Sequence, residues 1–274
     1  ELIVVDSGSS ASHFFSCLSD ERVRYLYIGE GLGLMSTVGA KRNLANFHAT
    51  GEFIAHFDDD DLYSPLYLET MLKSIERKGS KRKIQLLKLS SWYVLDAETG
   101  IAGFYDSEAQ LPEQFETCRR DGLFRDGYGF SLMYRRKLAL DLPFAEVSWG
   151  EDVLFVKDVR NAQKDIAMLG DRDFLCLRVQ HGWNLSRSIA QSHVSSAQWR
   201  PFVVQIQRNS VKSLEELHAK HPLALLDKKF DAACLISLQI RQACLLGSAR
   251  IENPELASLP KGLFVCSLFD EYYK

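Results

Sequence analysis

Four consecutive aspartates, Asp58 to Asp61, stand at the end of the largely apolar run Glu52–Phe57. Carboxylates at adjacent positions repel one another, so the run calls for a positive partner or for open water. Their oxygens suit Mg²⁺ or Mn²⁺. Such an ion, held by one or two carboxylates and waters, usually completes its shell with phosphate oxygens of a substrate. The competing reading is an acidic loop that is merely solvated. A second acidic pair, Glu151-Asp152, follows Trp149-Gly150 at the expected start of a helix, where the helix dipole alone favours carboxylates.

The elements that must position these groups are legible in the pattern. Leu2 to Val5 is a short β-branched run ended by Asp6-Ser7-Gly8-Ser9-Ser10, which predicts a buried strand, a turn and a helix start. Val23 to Ile28 predicts the next strand, and Ser36 to Thr50 a helix capped by Ser36 or Thr37. Glu52 to Phe57 predicts a strand running straight into the aspartates, and ligands of open α/β sheets bind at that end of the strands. Ser64-Pro65 predicts a helix start, with the helix continuing to about Arg77. Further strands are expected at Ile84–Leu95, Phe130–Arg135 and Phe174–Gln180, and helices at Glu108–Arg120 and Glu151–Ala162. This alternation predicts an α/β fold with a mostly parallel central sheet flanked by helices. After Ser192 the spacing of Leu214, Leu217, Leu223, Leu226 and Phe230 predicts a mainly helical C-terminal segment, so the chain is expected to divide into residues 1–190 and 191–274.

Composition removes several classes of function. The chain has 274 residues, 46% hydrophobic and 25% charged, with a formal net charge of -3. That describes a globular chain without a broad basic face, so a nucleic acid polymer is not an expected partner. Six cysteines lie scattered without a C-x-x-C pair or zinc-ligand spacing, which predicts buried free thiols rather than disulfides. The best apolar stretch, Ala232 to Leu246, is interrupted by Gln239, Arg241 and Gln242, so no transmembrane segment is expected in this chain. The chain opens on an apolar strand rather than a signal peptide, and a cytoplasmic or membrane-associated location is the expectation.

Taken in order, Asp6-Ser7-Gly8-Ser9, Gly39-Ala40-Lys41-Arg42-Asn43, Ala49-Thr50-Gly51-Glu52 and Asp58 to Asp61 with Pro65 form a linked set. The set resembles glycosyltransferase family 2, over about residues 1 to 190. The resemblance implies a GT-A type nucleotide-binding fold and inverting transfer of a sugar from a nucleotide-sugar donor, with UDP the expected nucleotide. The acceptor would be a saccharide, a lipid or a protein, and Mn²⁺ or Mg²⁺ the cofactor. Ser7 stands where many members have a second aspartate. Members normally carry one more strand and helix before the Asp-x-Gly-Ser turn, and with these absent an exposed sheet edge and a weakened nucleotide pocket are expected.

Carried over by position, Asp6 would recognise the uracil edge, Asp58 would lie near the ribose, Asp60 would ligate the metal and Asp61 would support it. Lys41 and Arg42 would place positive charge near the nucleotide, although a surface cation is the simpler account of Arg42. Trp149-Gly150-Glu151-Asp152 resembles the family's Glu-Asp motif, which makes Asp152 the general base and Glu151 its support. Trp149 would stack on a sugar face or sit in the core. His181-Gly182-Trp183-Asn184-Leu185-Ser186 resembles the stretch after the catalytic helix, where His181 would complete the metal shell or touch the diphosphate. Gly127 to Ser131 resembles the segment lining the acceptor side. Two rival functions remain at this stage: nucleotidyl transfer to sugar phosphates, and a non-catalytic nucleotide- or carbohydrate-binding relic.

Overall fold

A computed structural model describes residues 1–29, 37–58, 60–77, 83–97, 99–109, 123–180, 184 and 187–202, and the backbone of the strand Leu263–Phe269. The first strand, β1 (Leu2–Asp6), is buried along its whole length. Successive side chains of a strand face opposite ways, and β1 uses both. Leu2 and Val4 enter one apolar layer with Phe14, Phe53, Phe57, Tyr67 and Met71; Ile3 and Val5 enter the other with Ala45, Ile54, Tyr134 and Phe155. Burying each such side chain contributes roughly 1.5–3 kcal/mol, which is why this run forms the centre of a sheet.

The chain continues through α1 (His13–Cys17), β2 (Val23–Tyr27), α2 (Val38–His48) and β3 (Phe53–Asp58). Thr37 caps α2, its Oγ1 accepting from Ala40 N at 3.2 Å. Next come β4 (Leu62–Tyr63) and α3 (Tyr67–Ile75). The helix starts later than Ser64-Pro65 suggests, because Ser64 N still donates to Leu175 O across the sheet while its hydroxyl accepts from Leu66 N. The long β5 (Leu86–Asp96) and β6 (Ala102–Asp106) follow, then α4 (Leu123–Asp126), β7 (Met133–Arg135), α5 (Arg136–Asp141), α6 (Glu151–Asn161), β8 (Ile166–Gly170), β9 (Cys176–Gln180) and β10 (Ser192–Val194). The helix expected at Glu108–Arg120 lies almost wholly outside the described residues.

The final described strand, β11 (Leu263–Phe269), lies between β1 and β3 and is parallel to both. In register, Asp6 stands level with Phe269 and Asp58 with Leu268. This corrects two expectations. The edge of β1 facing β3 is not open, since a strand from the other end of the chain fills it. Nor does the sheet stop near residue 190, because β10 pairs with β6 and β11 joins the centre. The segment expected to be mainly helical therefore contributes strands as well.

The α/β class holds, but the sheet is mixed rather than mostly parallel. Strands β2, β1, β11 and β3 run parallel, whereas β7 returns antiparallel to β3 and β5. β5 and β6 form a hairpin whose tight turn, with Gly100 at φ 68° and Thr99 N donating to Asp96 Oδ1, forces antiparallel pairing. β5 also pairs in parallel with β8 and β9. Through β9 it reaches β4, which places β9 directly beside the aspartate run.

Candidate active site

The carboxyl ends of β1 and β3 form one edge of the sheet, and the candidate residues gather there. Asp6 is 1% exposed, and its carboxylate accepts from Gly8 N at 2.8 Å, Ser12 N at 3.2 Å and the Tyr25 hydroxyl. Burial and the bond to Asp6 raise the Tyr25 hydroxyl pKa well above its usual value. Asp6 thus builds the turn that follows β1. Lys41, fully buried on α2, donates from Nζ to Ser7 Oγ at 3.2 Å and so brings its charge to the same turn.

Asp58, Asp60 and Asp61 each offer a carboxylate oxygen within 4.8 Å of the others. Burial pushes the Asp58 carboxyl up to about 6, with Arg42 opposing the rise and Asp60 adding to it. Asp61 is raised well above the usual range by burial and by Asp60. Asp61 Oδ1 accepts from Val179 N at 3.0 Å, and Asp60 Oδ2 from Asn184 Nδ2 at 2.6 Å, so β9 and the residues after it hold the run in shape. Arg178, also on β9, is 7% exposed. Burial works against its charge, but Asp61, Asp60 and Asp58 more than offset that and raise its pKa. Its guanidinium lies over Tyr128 and Phe130, at 5.2 and 5.4 Å from the ring centres.

The second constellation is joined to the first by Arg42. This residue is 4% exposed, not a surface cation: Nη2 stands 3.3 Å from Glu151 Oε1, and the guanidinium lies 5.5 Å from the Phe144 ring centre. Its field also reaches Asp58 and Asp152. Burial lifts Glu151 to about 7 against the pull of Arg42, with Asp152 pushing the same way as burial. Asp152 itself accepts from Gly129 N at 2.8 Å and Val153 N at 2.7 Å. Neighbouring Asn43 exchanges two hydrogen bonds of 2.8 Å with the backbone of Phe144, and Gly39 touches Ala145 so closely that a Cβ would lie 1.8 Å from its carbonyl oxygen. The Gly-Ala-Lys-Arg-Asn stretch therefore locks α2 onto the loop that delivers α6.

The sheet edge thus gathers Asp6, Lys41, Asp58, Asp60 and Asp61, and through Arg42 their fields meet those of Glu151 and Asp152. Trp149 is 62% exposed, which removes the core reading for it. His181 lies outside the described residues. The sequence reading missed Arg178, whose signal was a lone arginine inside the strand Cys176–Gln180. Asn184, in the stretch that begins at His181, likewise gains its role only from the contact to Asp60.

α6 is tied down at its far end as well. Asp126 on α4 pairs with Arg160 Nη1 at 2.7 Å and with Arg125 Nε at 3.0 Å. Burial alone would raise the Asp126 carboxyl, but hydrogen bonds from Arg160 and Arg125 override it and bring it down to about 2. A carboxyl depressed on folding stabilises the fold above its unfolded value near 4, and that stability disappears as pH falls toward 2. Asp126→Asn is expected to cost about 1–2 kcal/mol at pH 7, discounted because both guanidinium partners are half in water. Urea unfolding of parent and variant should show the difference shrinking from about pH 4 downward.

An α/β sheet with clustered carboxylates at its strand ends, and a further carboxylate at a helix start beside them, defines a GT-A type domain. The chain belongs to glycosyl transferase family 2, whose sequence pattern matches residues 1–141. An uncharacterized glycosyltransferase of Rickettsia felis is 30% identical over 125 residues, 43% of this chain and 19% of that relative. The match therefore spans about a fifth of the relative's length. Among solved structures, the chain is similar to glucosyl-3-phosphoglycerate synthase from Mycobacterium tuberculosis in complex with Mn²⁺, UDP and phosphoglyceric acid. That likeness has 14% identity and a TM-score of 0.38, and covers 62% of this chain and 67% of that one. The same enzyme with Mg²⁺ and UDP is 16% identical with a TM-score of 0.37, covering 62% and 68%.

Proposed function

We propose that this chain transfers a glycosyl group from a nucleoside-diphosphate sugar, with UDP as the nucleotide, to an acceptor hydroxyl with inversion. The observation that carries the reading is the approach of Asp58, Asp60 and Asp61 to within 4.8 Å at the end of β3, within the electrostatic reach of Asp152. Hard oxygen donors gathered this closely suit Mn²⁺ or Mg²⁺, and burial together with Asp60 pushes the Asp58 and Asp61 carboxyls upward. Such an ion, held on Asp60 with Asp58 or Asp61 beside it, would supply charge stabilisation for the departing diphosphate.

The remaining work falls to the chain. Lys41 and the turn built by Asp6 receive the nucleotide end, and Arg42 keeps Glu151 and Asp152 at the same edge. Asp152 takes the proton of the acceptor hydroxyl as its oxygen bonds to the anomeric carbon. The bond from that carbon to the phosphate oxygen breaks, and the diphosphate leaves with the electron pair. A base acting on the face opposite the leaving group is what inversion requires. Trp149, exposed three residues before Asp152, offers a flat apolar surface suited to a sugar ring of the acceptor. His181, placed by its motif, would complete the metal shell or touch the diphosphate. No helix among the described residues is long and apolar enough to cross a membrane.

Calorimetric titration of UDP into the chain, with and without Mn²⁺, tests the reading. Binding is expected only with the metal, and Asp60→Asn is expected to weaken it by at least about tenfold, a loss of about 1.4 kcal/mol. Incubation with UDP-sugars should release UDP, whereas pyrophosphate released from UTP and a sugar phosphate would favour nucleotidyl transfer. Absence of metal-dependent UDP binding would overturn the proposal.

A further inference from the structure

Behind Asp152 lies a set of buried contacts that takes no direct part in the proposed reaction. Among the described residues, the hydrogen-bond donor to Asp152 besides its own neighbour Val153 is the amide of Gly129, so this peptide orients the carboxylate. Gly129 has little freedom. Its carbonyl accepts from His56 Nδ1 at 3.0 Å, and a Cβ at this position would lie 2.0 Å from Arg42 Nη1. Tyr128, immediately before it, is held in the left-handed backbone region at φ 68°, which is uncommon for a bulky residue. The segment is gripped again further upstream. The Lys88 ammonium, fully buried near the start of β5, donates to Gly127 O at 2.5 Å and to Arg125 O at 2.6 Å.

An ammonium group in the core is a costly way to fill space. Burial brings Lys88 down to about 8 although Asp152 and Asp126 favour its charge. Leu86, Leu87 and Leu89 beside it show that aliphatic side chains satisfy the packing of this strand. What a leucine could not do at position 88 is hold two carbonyls of the segment that ends at Gly129.

We infer that Arg125–Gly129 is a scaffold that aims Asp152, and that Lys88 is a positioning residue acting through it. The inference rests on the reading of Asp152 as the base. It separates from that reading experimentally, because the position of Gly129 can be followed without any substrate.

The test compares Lys88→Met with the parent chain by thermal unfolding, Mn²⁺-dependent UDP binding, amide hydrogen exchange across residues 123–131, and UDP release from a panel of UDP-sugars. A retained melting transition and UDP binding within about twofold are expected, with Gly129 exchanging about tenfold faster or more. kcat should fall about 10- to 100-fold while the donor KM stays within about threefold. Added to Asp152→Asn, Lys88→Met should change the residual rate by less than about twofold, since both changes act at one point. Unchanged exchange at Gly129, a kcat close to the parent value, or a full additive loss on Asp152→Asn each overturns the inference. If Lys88→Met does not fold, His56→Phe, which removes the donor to Gly129 O, takes the same measurements with the same expectations and the same overturning results. Retained transfer in Asp152→Asn alone, or no release of UDP by the parent, counts against the base assignment or the proposed reaction, while exchange at Gly129 still decides the scaffold.

Discussion

Asp152→Asn is expected to reduce glycosyl transfer by about 10²–10⁴-fold while Mn²⁺-dependent UDP binding stays within about twofold of the parent. The asparagine keeps one acceptor oxygen for Gly129 N, but its amide nitrogen cannot accept from Val153 N, which meets the other carboxylate oxygen of Asp152, and it cannot take up the acceptor proton. The contact to Gly129 therefore survives, while the contact to Val153 N is lost together with the proton transfer. Initial rates of UDP release, with calorimetry on the same protein, separate the two effects. Transfer that survives the change places the base on another residue. Weakened UDP binding would instead mean that Asp152 belongs to the donor side.

The second large effect concerns stability. Arg42→Met removes the cation that faces Glu151 inside the protein and lies within reach of Asp58 and Asp152. Three carboxylates are then left with less compensation where water is scarce. The expected loss is about 3–5 kcal/mol, the usual result of deleting one partner of a buried ion pair. Glu151→Met in the same background should restore most of that loss, because removing the second charge removes its desolvation cost. Urea unfolding of the two single variants and the double variant measures the coupling. Additive losses would show that Arg42 stabilises the fold through its packing on Phe144 rather than through Glu151.

How much of this was legible in the sequence depended on how local the signal was. β1, β3 and α2 followed from apolar runs and a capping threonine, which act over a few residues. The placement of Lys41 at the Ser7 turn agreed with its position near the start of α2. Arg42 and Trp149 were harder, since burial is decided by what packs on a helix from elsewhere: Phe144 and Glu151 cover the arginine, whereas nothing described covers the tryptophan. The parallel sheet was over-read. Alternating strands and helices predict parallel pairing, but the tight Asp96–Gly100 turn makes β5 and β6 a hairpin. The place of Leu263–Phe269 between β1 and β3 could not have been inferred from its own segment. Its partners lie more than 200 residues earlier in the chain, and no local pattern specifies such a pairing. Arg178 and Lys88 escaped notice for a related reason. A single charge within an apolar strand looks like an outward-facing residue until the opposing elements are known.

Tyr128 has a consequence for how far this domain can be stabilised. A non-glycine residue held in the left-handed region typically costs about 1–3 kcal/mol, and glycine would relieve that cost. The tyrosine ring, however, packs on Trp92 and Tyr105 and lies beneath the guanidinium that balances the aspartate run. Backbone comfort and charge balance therefore make opposite demands on one position. Deleting the buried ring would forfeit roughly 3–5 kcal/mol of packing, more than the backbone relief, so stability and a fixed arginine beside the carboxylates both keep the aromatic ring. The domain thus tolerates a strained backbone at the place where its two constellations meet, because the ring held there serves packing and charge balance at once.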